Sequence, residues 1–276
     1  MKKGLICGIK RMEIHDGDGI RTTVFFKGCP LKCVWCHNPE ATSFLPQTAF
    51  FKQKCADCGL CKGARTEQAA INCPTGAITH FGEEISVDEL LKKLKKDKAF
   101  FDYSGGGVTL SGGECLAQSE FCIALAKKLK QENISVYIDT CGFVSKKTLE
   151  QILPYTDKFL FDVKAFSKEV HKKCTGEENG LILQNLQFLS DSKANIEVRI
   201  PLVKGFNDGE IEDIAKFLSK LNVQRVKVLK YHSLARSRYQ ALDMKDTMPW
   251  TETTLADVEN AVKTLKSYNL NAFSGD

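Results

Sequence analysis

Six strand-like stretches separated by helical ones dominate the chain: IRTTVFFK (20–27), GGVTLSGG (106–113), ISVYIDT (134–140), KFLFDVK (158–164), NIEVRI (195–200) and QRVKVLKYH (224–232). Each is short and rich in β-branched and aromatic residues, as buried strands are. Apolar residues recur at helical spacing in VDELLKKLKK (87–96), in FCIALAKKLKQE (121–132) and around 146–153, 180–190, 209–221 and 253–266. Alternation of this kind implies crossover connections and a parallel sheet. Six such units predict an α/β fold of the incomplete (β/α)6 TIM type.

One segment breaks the alternation. From about 44 to 83 the chain turns to cysteines, small residues and CPTGAI. The expected organisation is therefore a partial barrel from 1–43 and 84–276, with a small insert at 44–83. No short-period repeat competes with this reading.

The 39 basic and 34 acidic residues, net +5, are spread along the chain without the concentrated basic tract of a nucleic-acid binder. No apolar run approaches the roughly 20 residues of a membrane span, and the chain opens without a signal-peptide pattern. The expected address is cytoplasmic, with neither nucleic acid nor membrane as partner. Twelve cysteines in a reducing compartment read as metal sites rather than cross-links.

Cys29, Cys33 and Cys36 fall within eight residues, with no further cysteine before Cys55. A closed zinc site needs four ligands, and His37 is available as the fourth. An iron–sulfur cube can instead be held by three thiolates, leaving one iron open. Further on, Cys55, Cys58 and Cys61, with Cys73-Pro74, resemble the bacterial ferredoxin motif and suffice for one 4Fe-4S cluster; a structural zinc site is the alternative.

The 25 residues DGDGIRTTVFFKGCPLKCVWCHNPE (16–40) resemble the signature of the glycyl-radical-enzyme activating enzymes of the radical S-adenosylmethionine (radical SAM) superfamily. The similarity continues through SGGE, DTCGF, FDVK, VRIPLVKGFND and KYHSL, and so spans the chain. It implies a cluster on Cys29, Cys33 and Cys36 whose fourth iron binds the amino and carboxylate groups of S-adenosylmethionine. An electron from that cluster yields a 5′-deoxyadenosyl radical, which removes hydrogen from a glycine of a partner glycyl radical enzyme. The resemblance assigns Gly112, Gly113 and Glu114 to the methionine amino group, and Lys164 to its carboxylate. Asp139, Thr140 and Asp162 end neighbouring strands, and Asp139 and Asp162 resemble the lining of a monovalent-cation site. Arg199 and His232 resemble cofactor contacts, and the backbone around Trp35 and His37 receives the adenine. Residues 16–21 and 105–107 are expected to flank the cluster mouth. Cys115 and Cys141 lie beside pocket motifs and are expected to serve packing.

Relatives with such an insert often carry two ferredoxin motifs; four cysteines here imply one auxiliary 4Fe-4S cluster. The implied partners are the glycyl radical enzyme and an electron donor such as flavodoxin or ferredoxin, with the protein acting as a monomer. Two other classes fit the same cysteines: a radical enzyme acting on a small molecule or peptide, and a non-enzymatic iron–sulfur or zinc protein.

Overall fold

The computed structural model describes residues 2–275; Met1 and Asp276, the outer ends of the expected barrel segments, lie outside the described residues. The chain begins with β1 (Lys3–Glu13) and β2 (Arg21–Phe26), followed by β3 (Gln47–Phe50), α1 (Glu67–Ile71), β4 (Ile78–Phe81) and β5 (Glu83–Ser86). Next come α2 (Val87–Leu94), α3 (Lys98–Ser104), β6 (Gly107–Gly112), α4 (Ser119–Gln131), β7 (Ser135–Thr140), α5 (Lys146–Ile152) and β8 (Lys158–Asp162). The last part holds α6 (Lys168–Thr175), α7 (Gly180–Asp191), β9 (Ile196–Leu202), α8 (Ile211–Leu218), β10 (Arg225–Lys230), α9 (Arg236–Ala241), α10 (Leu255–Ser267) and β11 (Ala272–Gly275).

Nine strands form one sheet in the order β11-β10-β9-β8-β7-β6-β2-β1-β5. The six expected strands run parallel in sequence order, and β11 adds to them in parallel. β1 and β5 attach antiparallel beyond β2. The barrel stays open, with β5 and β11 as its free edges. β3 and β4 pair separately, bracketing most of the cysteine-rich segment. No helix among the described residues is long and apolar enough to cross a membrane.

Side chains such as Leu110, Phe159, Phe161 and Ile200 alternate into a core shared with the inner faces of α4, α5, α7, α8 and α10. Helix starts follow local chemistry. The Ser86 hydroxyl accepts the Glu89 N–H while the Glu89 carboxylate accepts the Ser86 N–H, and Thr254 with Asp257 repeats the device at α10. α3 stops where Gly105 turns left-handed at φ 68°.

Residues 14–20 lie against the starts of the strands. The Asp18 carboxylate accepts the Tyr137 hydroxyl at 3.0 Å and pairs with Lys158 and with Arg225, residues at or near the starts of β7, β8 and β10. Arg21, fully buried, lays its guanidinium 3.6 Å from the Tyr137 ring centre and donates to Thr109 Oγ1 at 2.7 Å. Gly106 is packed so tightly on Ile20 that an added Cβ would stand 1.8 Å from its carbonyl oxygen. Residues 16–21 and 105–107 therefore brace the amino-terminal end of the sheet, opposite the cysteines, and do not flank the cluster mouth. Asp18 and Arg21 face strand starts, while Asp16 turns inward to Arg199 at 3.9 Å, a division that the signature alone does not reveal.

At the other end, Asn207 is fully buried after β9. Its amide donates to the Lys164 and Pro201 carbonyls, both at 2.7 Å, and accepts the Val203 N–H at 2.8 Å. Asn207→Ala leaves three backbone groups unpaired and is expected to lower stability by about 2–4 kcal/mol in urea unfolding. A change below about 0.5 kcal/mol would mean that water takes over those bonds.

Candidate active site

The cysteine loop leaves β2 at Gly28, whose φ of 99° is left-handed and whose added Cβ would meet the Phe44 ring at 2.4 Å. Backbone bonds pin the loop on two sides: Gly28 N–H to the Ala41 carbonyl at 2.8 Å, Lys32 N–H to Thr175 at 2.7 Å and Val34 N–H to Cys174 at 2.9 Å. Burial pushes the Cys33 thiol up to about 12 and the Cys36 thiol to about 11, so their thiolate forms call for a cationic partner. Cys29 is held below its ordinary value, chiefly by a hydrogen bond with Cys141.

These cysteines form one wall of a cavity of about 340 Å³. The other walls are strand ends: Ser111, Gly112 and Gly113 after β6, Asp139, Thr140 and Cys141 after β7, Asp162 and Lys164 after β8, Arg199 and Pro201 from β9, and residues 229–232 after β10. Carboxyl ends of parallel strands are where such folds place their chemistry. The close approach at Gly112 and Gly113 is backbone on backbone. A Cβ at Gly112 would stand 2.2 Å from Phe26 N, and one at Gly113 would stand 2.4 Å from Ala41 O.

Two cations are buried on this floor. Lys164 Nζ donates to Asp162 Oδ2 at 2.5 Å, and burial, which opposes its charge, is outweighed by Asp162 and nearby thiols, so its pKa is raised. Arg199 has Asp139 at 3.8 Å, Asp16 at 3.9 Å and Glu197 at 3.6 Å, and donates to the His15 carbonyl at 3.2 Å. Burial likewise works against it, yet these acids raise its pKa. Asp139 accepts the Ser111 hydroxyl at 2.6 Å. Burial, with the like charges of Asp162 and Asp16, lifts its carboxyl to about 7 against the pull of Arg199.

At the rim, the His37 and His232 rings stack at 4.3 Å with 16° between planes, Tyr231 lies 5.9 Å from His37, and His37 Nε2 is 2.9 Å from the His232 carbonyl. Burial, then His232, lowers the His37 pKa to about 4, so the slab has a neutral face. Trp35 is buried and meets Phe206 edge to face at 6.0 Å.

Glu114 departs from expectation. It is fully buried behind the cavity wall, accepting the Thr140 hydroxyl at 2.8 Å, the Cys141 N–H at 2.8 Å and the Leu116 N–H at 3.0 Å. Its oxygens are taken by the end of β7 and by its own following turn, so it shapes the wall without lining it. Cys141 does line it, whereas Cys115 packs behind. Ser111 and Tyr231 lie within the SGGE and KYHSL stretches, but neither residue is given a role by the sequence.

Cys55, Cys58, Cys61 and Cys73 line a second cavity of about 340 Å³ with Phe50, Pro74 and Ile78. Backbone N–H groups already face two of the sulfurs: Asp57 N lies 3.4 Å from Cys55 and Ile78 N 3.5 Å from Cys73. Among the described residues, no three His, Cys, Asp or Glu side chains are placed to hold a single metal ion. A cube gives each thiolate its own iron, so its ligands need not converge on one point.

The description "Radical SAM superfamily" matches residues 23–218. The chain is 38% identical to the trans-4-hydroxy-L-proline dehydratase activating enzyme of Clostridioides difficile, covering 87% of this chain and 88% of that one. It is 36% identical to the pyruvate formate-lyase 2-activating enzyme of Escherichia coli K12, covering 86% and 80%. A crystal structure of a domain of pyruvate-formate lyase-activating enzyme from Bacteroides vulgatus superposes with a TM-score of 0.54 at 28% identity, covering 62% of this chain and 100% of the other. Escherichia coli QueE, at 13% identity, superposes with a TM-score of 0.52 over 99% and 93%, a likeness of fold. The chain belongs to the radical SAM superfamily, among the glycyl radical enzyme activating enzymes.

Proposed function

We propose that the protein removes a hydrogen atom from a backbone glycine of a partner glycyl radical enzyme, using S-adenosylmethionine and a 4Fe-4S cluster held by Cys29, Cys33 and Cys36. The observation that carries this reading is the shared cavity: three cysteines on one wall face two buried cations on the floor. The donor set fits, since three sulfurs face the cavity cation-ready while His37 is occupied by His232. When bound, the cluster and S-adenosylmethionine supply a 5′-deoxyadenosyl radical by reductive cleavage.

The chain's own residues bind and orient. Lys164 takes the cofactor carboxylate, a role suited to an ammonium that is dry and charged. Gly112 and Gly113 leave their backbone open to the methionine amino group, and Thr140, held by Glu114, keeps the β7 loop clear of it. Burial disfavours the Asp139 charge, and Asp162 and Asp16 add a like-charge repulsion that raises its pKa further. A monovalent cation beside Asp139 and Asp162 would relieve it. Arg199 anchors these acids, and the neutral His37 ring stacked on His232, with the backbone around Trp35, receives the adenine. The open sheet edge leaves a lateral route for a polypeptide segment, whose glycine has no side chain to block approach.

Residues 44–83 form the cluster-binding insert of a barrel made by 1–43 and 84–276. Cys55, Cys58, Cys61 and Cys73 hold one auxiliary 4Fe-4S cluster of ferredoxin type, supported by their shared cavity and the N–H groups at two sulfurs. The protein works in the cytoplasm, a reading in keeping with its twelve unpaired thiols, and acts as a monomer. Its electron donor is of the flavodoxin or ferredoxin class.

Lys164→Ala removes a charge-assisted contact worth about 1.5–3 kcal/mol, so titration of the reduced protein should find S-adenosylmethionine bound roughly ten- to a hundredfold more weakly, with iron content unchanged. Unchanged affinity would make Lys164 a partner of Asp162 only. Cys58→Ser should leave cofactor cleavage by a strong chemical reductant largely intact and weaken activation of the partner; loss of cleavage with the first cluster retained would contradict this. With its cognate partner deuterated at glycine α-positions, the protein should move deuterium into 5′-deoxyadenosine and collapse the α-proton doublet of the partner's radical signal. Cleavage with neither change would place the abstracted hydrogen elsewhere and favour a small-molecule substrate.

A further inference from the structure

The chain that leaves β10 forms one rim of the cavity and then carries two large apolar side chains into solvent. Residues 229–232 line the cavity. Two residues on, Leu234 is 79% exposed, and Trp250 is 84% exposed. Neither belongs to the apolar clusters of the core.

Both are tied to the cavity wall. Tyr231, which lines it, donates its hydroxyl to the carbonyl of Pro249, the neighbour of Trp250, at 2.7 Å. Ser233, between His232 and Leu234, donates its N–H and its hydroxyl to Glu252 Oε1 at 3.1 and 2.7 Å. These bonds stitch 231–233 to 249–252 and bring Leu234 and Trp250 to the same lip of the cavity. The lip follows β10, whose partner β11 is a free edge of the sheet, so it borders the open side of the barrel.

Trp250 is also held still. The Arg236 guanidinium lies 3.7 Å from its ring centre, and is itself fixed by Asp246 at 2.5 Å and by the Met248 and Pro249 carbonyls at 2.9 and 2.6 Å. An indole stacked in this way has one face covered and the rest open, and it loses little freedom when a partner lands on it. An exposed tryptophan adds nothing to a core, but a preordered one is the kind of side chain that dominates binding energy at interfaces. A second copy of the chain seated on this lip would obstruct the mouth that the substrate has to enter. A protein substrate that reaches into the cavity must instead pass over it.

We propose that Trp250 and Leu234 form the landing surface for the polypeptide segment of the partner that carries its reacting glycine. The proposal rests on the activating-enzyme reading and adds to it where the partner is gripped. The segment meets the open indole face and the leucine with apolar side chains or peptide planes, while its glycine reaches past His232 into the cavity.

The test uses the full-length, anaerobically reconstituted protein with S-adenosylmethionine. Its probes are the radical-free glycyl radical enzyme on which the wild-type protein carries out the deuterium transfer described above, and a synthetic peptide spanning that enzyme's reacting glycine. Trp250→Ala should weaken binding of both roughly ten- to thirtyfold and Leu234→Ser roughly three- to tenfold, raising KM and keeping kcat. In both variants, S-adenosylmethionine affinity and its partner-free cleavage by a chemical reductant should match wild type. Trp250→Phe, which keeps a flat ring, should recover most of the loss. Tyr103→Ala, at a side chain 92% exposed at the end of α3 and so beside the strand starts, should change nothing. Unchanged peptide affinity in Trp250→Ala overturns the proposal, even if the whole enzyme binds more weakly, since the lip would then hold another part of the partner. An equal loss in Tyr103→Ala overturns it as well. Should Trp250→Ala fail to fold, Leu234→Ser decides in the same terms. A wild-type protein that transfers no deuterium from a glycyl radical enzyme would instead overturn the activating reading beneath the proposal.

Discussion

Burying Lys164 just past β8 and Arg199 midway along β9 is the constraint around which the site is built. An isolated buried cation is far too costly to survive, so each must be matched by acids that the sheet brings within a few ångströms. Asp162 matches Lys164 two residues away on the same strand end, while Asp16, Asp139 and Glu197 surround Arg199 from three different parts of the chain. The parallel register that pairs Asp162 with Arg199 on adjoining strands, with Asp139 one strand further along, assembles that set. The polar floor then faces the thiol wall across the cavity, and a zwitterionic cofactor fits between a cation, these acids and open backbone.

The two ends of the sheet have separate tasks. At the strand starts, Asp18, Arg21, Tyr137, Lys158 and Arg225 form an interlocked group that lies far along each strand from the cysteines. Burial raises the Asp18 pKa while Lys158, Tyr137 and Arg225 outweigh it and bring it down to about 2, so the Asp18 carboxylate stays ionised and paired. Function-bearing signatures and fold-bearing ones therefore run together in the sequence: one 25-residue motif supplies a brace at one end of β2 and the cysteine loop of the cavity wall at the other.

That continuity explains what could be read from the sequence. The six parallel strands and most of the helices between them were legible, because β-branched runs such as RTTVFF and amphipathic helices such as α4 carry strong period signals. β1 was missed because glycine and lysines break KGLICGIKRME, and β5, β11 and α9 are too short to show a period. That Asp139, Thr140, Asp162 and Lys164 stand where strands end was legible from position, and the resemblance grouped them with Arg199 around what proves to be one cavity. The placing of residues 16–21 was not legible, since an acidic loop reads the same at either end of a strand. Glu114 was misplaced for a related reason: a carboxylate next to two glycines looks like a ligand contact until its three donors are seen.

The central claim is that three thiolates leave one iron for the cofactor, which the buried floor holds in place. The most direct test is hyperfine spectroscopy of the reduced protein with S-adenosylmethionine carrying ¹⁷O in its carboxylate and ¹⁵N in its amino group. The account predicts coupling of both labels to the cluster on Cys29, Cys33 and Cys36. A protein that carries that cluster and binds the labelled cofactor, yet shows coupling to neither label, would contradict it.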